Sequence, residues 1–208
     1  MKRKIFFLFI TAICILTAST ANAQFRYGAT LGADMTKLNF KQDLLEVKKN
    51  FGGTAGVVGE LMFPGVGFGV DFGLIYNMRG AKMDLGKYEM WKAQGYGNER
   101  LTMHYLVVPF HLRFKYTRLN GFEDTLAPFV YAGPSIGMLV GHSKLDCFSF
   151  PFGELGLDFG IGAEIKRNWQ VSVSYTHGFT YACKDKTLTN FSARNSSWNI
   201  GVTYFFSK

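Results

Sequence analysis

His111, Arg113 and Lys115 stand two residues apart in a stretch whose intervening residues, Leu112 and Phe114, are apolar. At the two-residue period of a β-strand, three basic side chains in that pattern share one face. Acidic residues hold the matching positions elsewhere. Asp34, Glu60, Asp71, Glu154, Asp158 and Glu164 each sit among apolar or glycine neighbours. If these polar faces meet in a common interior, nine ionisable groups of both signs meet with them. Buried charges need opposite partners or water. Such a set can do one of two things: fill the interior as an ion-pair network, or line a polar path through it.

Other reactive residue types offer less. His104, His142 and His177 are available as proton carriers, with Ser143 beside His142, but no His–Ser or His–acid pair has a spacing that strand geometry would bring together. The histidines and Cys147 and Cys183 show no C-x-x-C or H-x-x-x-H spacing, so no metal site is expected. The glycines recur at strand period and form no phosphate-cradling loop, and no cofactor is expected. Cys147 and Cys183 can pair as a disulfide in an oxidising compartment; two separate thiols are the alternative, and the Cα separation decides.

The elements that must hold these groups are strands. Trp169 to Tyr181 (WQVSVSYTHGFTY) puts Trp169, Val171, Val173, Tyr175, Phe179 and Tyr181 on one face, interrupted by His177. Gln170, Ser172, Ser174, Thr176, Gly178 and Thr180 lie on the other. The run is as long as a tilted strand needs to cross a bilayer, about 9–11 residues. Seven more segments alternate in the same way, over 27–36, 54–63, 66–77, 105–116, 126–141, 154–165 and 198–206. Pro134 suits a bulge or bend in the fifth. Val66 opposite Tyr116 would set Asp71 beside His111. Pro64-Gly65 and Arg167-Asn168 read as tight turns at one end. Lys41–Asn50, Gly80–Glu99, His142–Pro151 and Lys184–Asn195 read as long loops at the other. Thr117–Thr125, with Asn120-Gly121, is longer than a minimal turn. Eight strands with short turns at one end and long loops at the other describe an antiparallel up-and-down transmembrane β-barrel.

A soluble ligand-binding barrel alternates too, with its apolar face inward. The polar face here is mostly Gly, Ser and Thr with spaced single charges, which suits a cramped interior better than a water-facing exterior. The 24 glycines and 21 phenylalanines fit curved, close-packed sheet. An eight-stranded interior can be filled by side chains, which favours a plug over a conducting pore.

Residues 1–23 read as a cleaved secretory signal. Lys2, Arg3 and Lys4 precede the apolar run Ile5–Ala18, and Ala21-Asn22-Ala23 supplies a cleavage site before Gln24. A membrane anchor is the competing reading, and Ile13 before Cys14 departs from a lipoprotein signal. The barrel domain is then 24–208. Without Lys2, Arg3 and Lys4 it carries 20 basic residues against 15 acidic, a net +5. The basic residues are scattered, which is no nucleic-acid footprint; they can meet lipid phosphates or simply be solvated.

Three phrases carry a resemblance: Tyr105-Leu106-Val107-Val108-Pro109-Phe110, Ala132-Gly133-Pro134-Ser135-Ile136-Gly137, and Leu157 to Ile165 (LDFGIGAEI). With them the chain resembles the PorT-type outer-membrane β-barrel family of Bacteroidetes. Val107 stands where an acidic residue is common there, and Ser207-Lys208 follow the terminal aromatics Tyr204-Phe205-Phe206, which are similar to the signal read by the barrel-assembly machinery. The resemblance implies outer-membrane localisation, lipid and assembly machinery as partners, and for some members association with secretion machinery. The expected role is structural or interactive, through extracellular loops that display Tyr88, Trp91 and Tyr96 to envelope partners; a small-solute channel is the alternative. No enzymatic activity is expected.

Overall fold

The computed structural model describes residues 24–41, 47–63, 67–86, 92–93, 95, 97–116, 125–143, 148–185 and 192–206. The proposed signal segment, Pro64-Gly65, Val66, Asn120-Gly121, Cys147 and the rings of Tyr88, Trp91 and Tyr96 lie outside the described residues. Ten strands form one antiparallel sheet: β1 (Gln24–Phe40), β2 (Val47–Met62), β3 (Phe68–Asp84), β4 (Asn98–Lys115), β5 (Leu126–His142), β6 (Phe148–Ser149), β7 (Gly153–Ile165), β8 (Trp169–Gly178), β9 (Cys183–Asp185) and β10 (Ser192–Phe205). Eight of these are long and lie in the order β1-β2-β3-β4-β5-β7-β8-β10. Pairing of β1 with β10, from Gly28↔Phe205 to Phe40↔Ala193, closes them into a barrel. Closure gives each of these eight strands a partner on both sides, the condition for crossing lipid as sheet. The short β9 pairs with the start of β10 beyond the end of β8, and β6 pairs with β9.

Residues near both termini lie at one end of the barrel with the β7–β8 turn, where Lys166 and Arg167 both have positive φ. In outer-membrane barrels this is the periplasmic end; it is called the terminal end below, and the opposite one the loop end.

Alternation explains the wall. Leu31, Phe72, Leu112, Ile161, Val173 and Ile200 point outward and are exposed, while Asp34, Glu60, Arg113, Asp158 and Gln170 point inward and are buried. Two girdles of rings bound the outer apolar belt. At the terminal end Trp169 packs against Tyr204 (centroids 4.8 Å apart), and Tyr204 against Phe206 (5.5 Å). At the loop end Tyr175 packs on Trp198 (5.1 Å), and His177 meets Phe179 edge-on at 5.8 Å. His177 thus takes its place among the girdle rings, where an apolar body with a polar tip fits the headgroup level.

The expected long loops are partly strand. β3 runs on through Asp84 and β4 begins at Asn98, so Gly80–Glu99 is not a loop throughout. Residues 47–50 belong to β2, 192–195 to β10, and β6 lies within His142–Pro151. The physical reason is a reversal of polarity. Near Asn77 and His104 the in-and-out alternation continues unbroken, but the apolar residues change from the outer to the inner positions. Lys82, Arg100 and Thr102 now face out, while Ala81, Met83, Leu101 and Met103 face in. Above the lipid, water covers the outside of the wall, and the apolar side chains turn to the interior.

Pro134 does not bulge β5, which is continuous. The β4–β5 register instead shifts opposite His104/Tyr105, leaving Val140 as the extra residue. Pro134 sits where the pairing passes from Pro109↔Ser135 to Leu112↔Ala132. A residue without an N–H is accommodated by that gap.

Candidate functional site

The barrel interior has three tiers. At the terminal end, Glu60 from β2 is 1% exposed and is the shared acceptor. Lys115 Nζ donates to its Oε1 at 2.9 Å, Gln170 Nε2 to its Oε2 at 2.8 Å, and Arg113 Nη1 lies 3.1 Å from Oε2. Arg26 also donates to Glu60. Glu164 Oε2 takes Arg26 at 2.5 Å, Lys115 at 2.8 Å and Gln170 at 2.8 Å. Asp71 Oδ2 takes both Arg113 Nε and Nη2 at 2.7 Å. Three cations (Arg26, Arg113, Lys115) thus face three carboxylates (Glu60, Asp71, Glu164). The guanidinium of Arg113 also lies 4.1 Å from the Phe129 ring centroid, and that of Arg26 4.6 Å from the ring of Phe205. Each charge in this set has an opposite partner and the set is roofed by rings, the arrangement that lets charges be buried at all; Asp71 Oδ1 alone of its carboxylate oxygens is buried with no partner among the described residues.

The glycines opposite make room for the rings. A Cβ on Gly160 would lie 2.2 Å from the Tyr131 ring, and one on Gly162 would lie 2.5 Å from Phe129. A residue larger than Gly at 160 or 162 would displace the aromatic on the neighbouring strand β5.

The middle tier is looser. His111 Nε2 lies 3.0 Å from Asp158 Oδ2, Arg79 Nη1 lies 3.3 Å from Glu154 Oε1, and Asn195 Nδ2 donates to Glu154 Oε2 at 2.7 Å. Asn199 Nδ2 donates to Asp34 Oδ1 at 3.1 Å. A cavity of ≈ 120 Å³ lies here, lined by Asp34, Asn77, Arg79, Asp158, Thr176 and Asn199 among others. Asp34 Oδ2, Asn77 Oδ1, Arg79 Nε and Asp158 Oδ1 have no protein partner among the described residues. A space of this size with several polar partners suits water.

The third tier, at the loop end, is apolar. Leu38, Met83, Leu85, Leu101, Met103, Tyr105 and Phe148 pack into one buried cluster with Cys183. Cys147 lies outside the described residues, and with it the Cys147–Cys183 pairing.

The structure therefore brings Glu60, Asp71, Arg113, Lys115 and Glu164 together, and joins His111 to Asp158. Asp71 and His111 are register partners, yet their ion pairs run elsewhere, Asp71 to Arg113 and His111 to Asp158. Glu154 and Asp34 stand apart from the terminal tier. Arg26 and Arg79 are members that the sequence reading omitted. Each sits one or two residues beyond an expected strand end, and extending the period of two would have put both on the inner face. The residues considered for catalysis are otherwise engaged. Ser143 Oγ accepts from Thr102 N–H at 3.0 Å, His142 Nδ1 bonds Ser143 O at 2.9 Å, and Tyr76 Oη bonds His104 Nδ1 at 2.6 Å. No group of three or more His, Cys, Asp or Glu that could hold a metal occurs among the described residues.

The family model described as the outer membrane protein beta-barrel domain matches residues 17–182. The chain belongs to this family. It is an outer-membrane β-barrel protein. Among solved structures the barrel is similar to Ail, the attachment invasion locus protein of Yersinia pestis, in complex with the heparin analogue sucrose octasulfate (14% identity, TM-score 0.45, 88% of this chain and 99% of that one). It is similar to Neisserial surface protein A (14%, 0.46, 88% and 98%) and to OprG from Pseudomonas aeruginosa (12%, 0.48, 89% and 96%). No curated protein matches the barrel.

Proposed function

We propose that this barrel is closed to solutes and serves a structural or interaction role in the cell envelope, as a PorT-type member of its family associated with secretion machinery. The observation that carries the closed lumen is the terminal tier, in which Arg26, Arg113, Lys115, Glu60, Asp71, Glu164 and Gln170 fill the cross-section with direct hydrogen bonds. The apolar cluster at the other end supports it. A solute would have to break a neutral ion-pair set at one end and part a hydrophobic core at the other. A barrel closed in this way acts through its surface, and the residues joining the strands at the loop end are where envelope partners would engage it. Export through a signal cleaved before Gln24 belongs to the same reading.

The alternative, passage of small solutes, has the middle cavity in its favour. Planar-bilayer recording separates the two. The closed reading expects no steady conductance from the purified protein; a large, stable open level would overturn it. Cross-linking in intact envelopes followed by identification of the captured partners tests the interaction role, and recovery of the barrel alone would count against it. N-terminal sequencing of the envelope form tests cleavage before Gln24.

A further inference from the structure

The outside of the loop end carries a charge pattern that the interior does not use. Strand register places Lys48 directly opposite Lys82, and Lys82 directly opposite Arg100. Three cations therefore stand side by side on the outer face of β2, β3 and β4, across about 10 Å at ordinary strand spacing. All three are exposed. Like charges directly opposed across a ladder repel, and among the described residues none of the three has an ion pair to offset this. Asp84, two residues beyond Lys82 on the same face, is opposite Asn98, and Glu99 is opposite Met83 on the other face. A cavity of ≈ 320 Å³ is lined by the three cations together with Met83, Asp84, Asn98 and Glu99.

Two further observations say what the row faces. The first is its height. Tyr76 and His104, bonded to each other on the outer face of β3 and β4, mark the upper limit of the apolar belt. Arg100 lies four residues further along β4, about 13 Å of strand. The row therefore stands just beyond the hydrocarbon, where headgroups lie. The second is the partition of charge. Six of the eight acids whose side chains are described are buried in the interior (Asp34, Glu60, Asp71, Glu154, Asp158, Glu164), whereas Lys37, Lys184 and Arg194 add exposed cations to the outside of the same end.

We propose that Lys48, Lys82 and Arg100 bind the phosphate groups of an outer-leaflet glycolipid, a phosphorylated saccharide headgroup whose acyl chains lie along the belt below. Neighbouring cations at this spacing match two phosphates on one headgroup, and phosphate between them removes the repulsion that the row otherwise carries. The inference needs the outer-membrane location of the barrel and is independent of whether its lumen conducts.

The test is native mass spectrometry of the folded full-length protein in nonionic detergent, titrated with diphosphorylated lipid A. Parallel arms use dephosphorylated lipid A, inorganic phosphate and a soluble sulfated oligosaccharide. Wild type is expected to retain lipid A at concentrations on the order of 100-fold below those needed by Lys48→Gln/Lys82→Gln/Arg100→Gln, from roughly a factor of five per surface cation. Lys82→Gln alone, at the centre of the row, is expected to lose part of that. Lys166→Gln at the terminal end is expected to bind as wild type. Heat-modifiable gel mobility verifies that each variant is folded, and if the triple variant does not fold the single one decides. Equal retention by wild type and the row variants overturns the proposal, as does equal retention of the dephosphorylated lipid. Displacement by inorganic phosphate at the same concentration would assign the row to free phosphate. Binding of the sulfated oligosaccharide in place of lipid A would assign it to a soluble glycan. Either result overturns the lipid assignment.

Discussion

Replacing Glu60 with Gln keeps the shape of the side chain and removes its charge. Arg26, Arg113 and Lys115 are then left facing only Asp71 and Glu164, one uncompensated positive charge inside a wall. Glu60 is 1% exposed and Lys115 5% exposed, so bulk water screens little of the imbalance. Breaking a buried pair by removing one partner costs about 3–5 kcal/mol, and that is the expected loss for Glu60→Gln. Lys115→Met leaves the opposite imbalance, with Glu60 and Glu164 sharing one cation fewer, and is expected to cost a similar amount. The double variant restores two cations against two acids. Its cost is expected to be no greater than that of either single variant, which makes the coupling between the sites about 3 kcal/mol or more. Urea-dependent unfolding in lipid vesicles, followed by tryptophan fluorescence, measures all three. Trp169 and Trp198 sit on the lipid face and report loss of that environment. Single-variant costs below about 1 kcal/mol, or a double variant equal to the sum of the singles within about 0.5 kcal/mol, would refute the view that this tier acts as one neutral unit.

Three further outcomes follow from other parts of the barrel. Gly160→Ala drives a Cβ into the Tyr131 ring and is expected to cost about 1–3 kcal/mol in the same urea assay, with most of that recovered in a Tyr131→Ala background. Leu101→Ala, fully buried in the loop-end cluster, is expected to cost about 2–5 kcal/mol while leaving bilayer conductance unchanged, because the terminal tier stays intact. Leu31→Arg, on the lipid face with 67% of its surface exposed, is expected to lose about 2–4 kcal/mol, whereas Lys37→Gln on the same face beyond the belt is expected to be near neutral.

The sequence was legible where lipid lies outside the wall and a polar interior within it. From Phe68 to Tyr76 or Leu106 to Phe114 the outward residue is apolar because lipid is outside, so the period of two reveals strand, face and the polar inner positions together. It misled where the solvent changes. At Ala81, Met83, Leu101 and Met103 the apolar residues turn inward, so the stretch looks polar and irregular to a reading that equates apolar with outward. The four long loops were overdrawn for that reason, and Arg79, at the reversal, was missed with them. Pairings within the interior were harder still. Face parity says which side chains share the lumen, but cross-barrel partners such as Glu60 with Gln170, or His111 with Asp158, depend on the barrel's closure and stagger, which no local pattern encodes.

The reversal of polarity along the strands also bears on how the barrel can enter a membrane. The wall above the girdle is built for water, with Lys48, Lys82 and Arg100 on its outside and an apolar core within. Pushing that rim through hydrocarbon from the terminal side would carry those three cations across the bilayer, at roughly 8–10 kcal/mol by insertion scales. It would also have to happen before the core beneath them is packed, or with it packed and its charged exterior facing lipid. Insertion is therefore directional by construction. The loop end has to cross while shielded from lipid, and once it has refolded on the far side the same cations oppose its return.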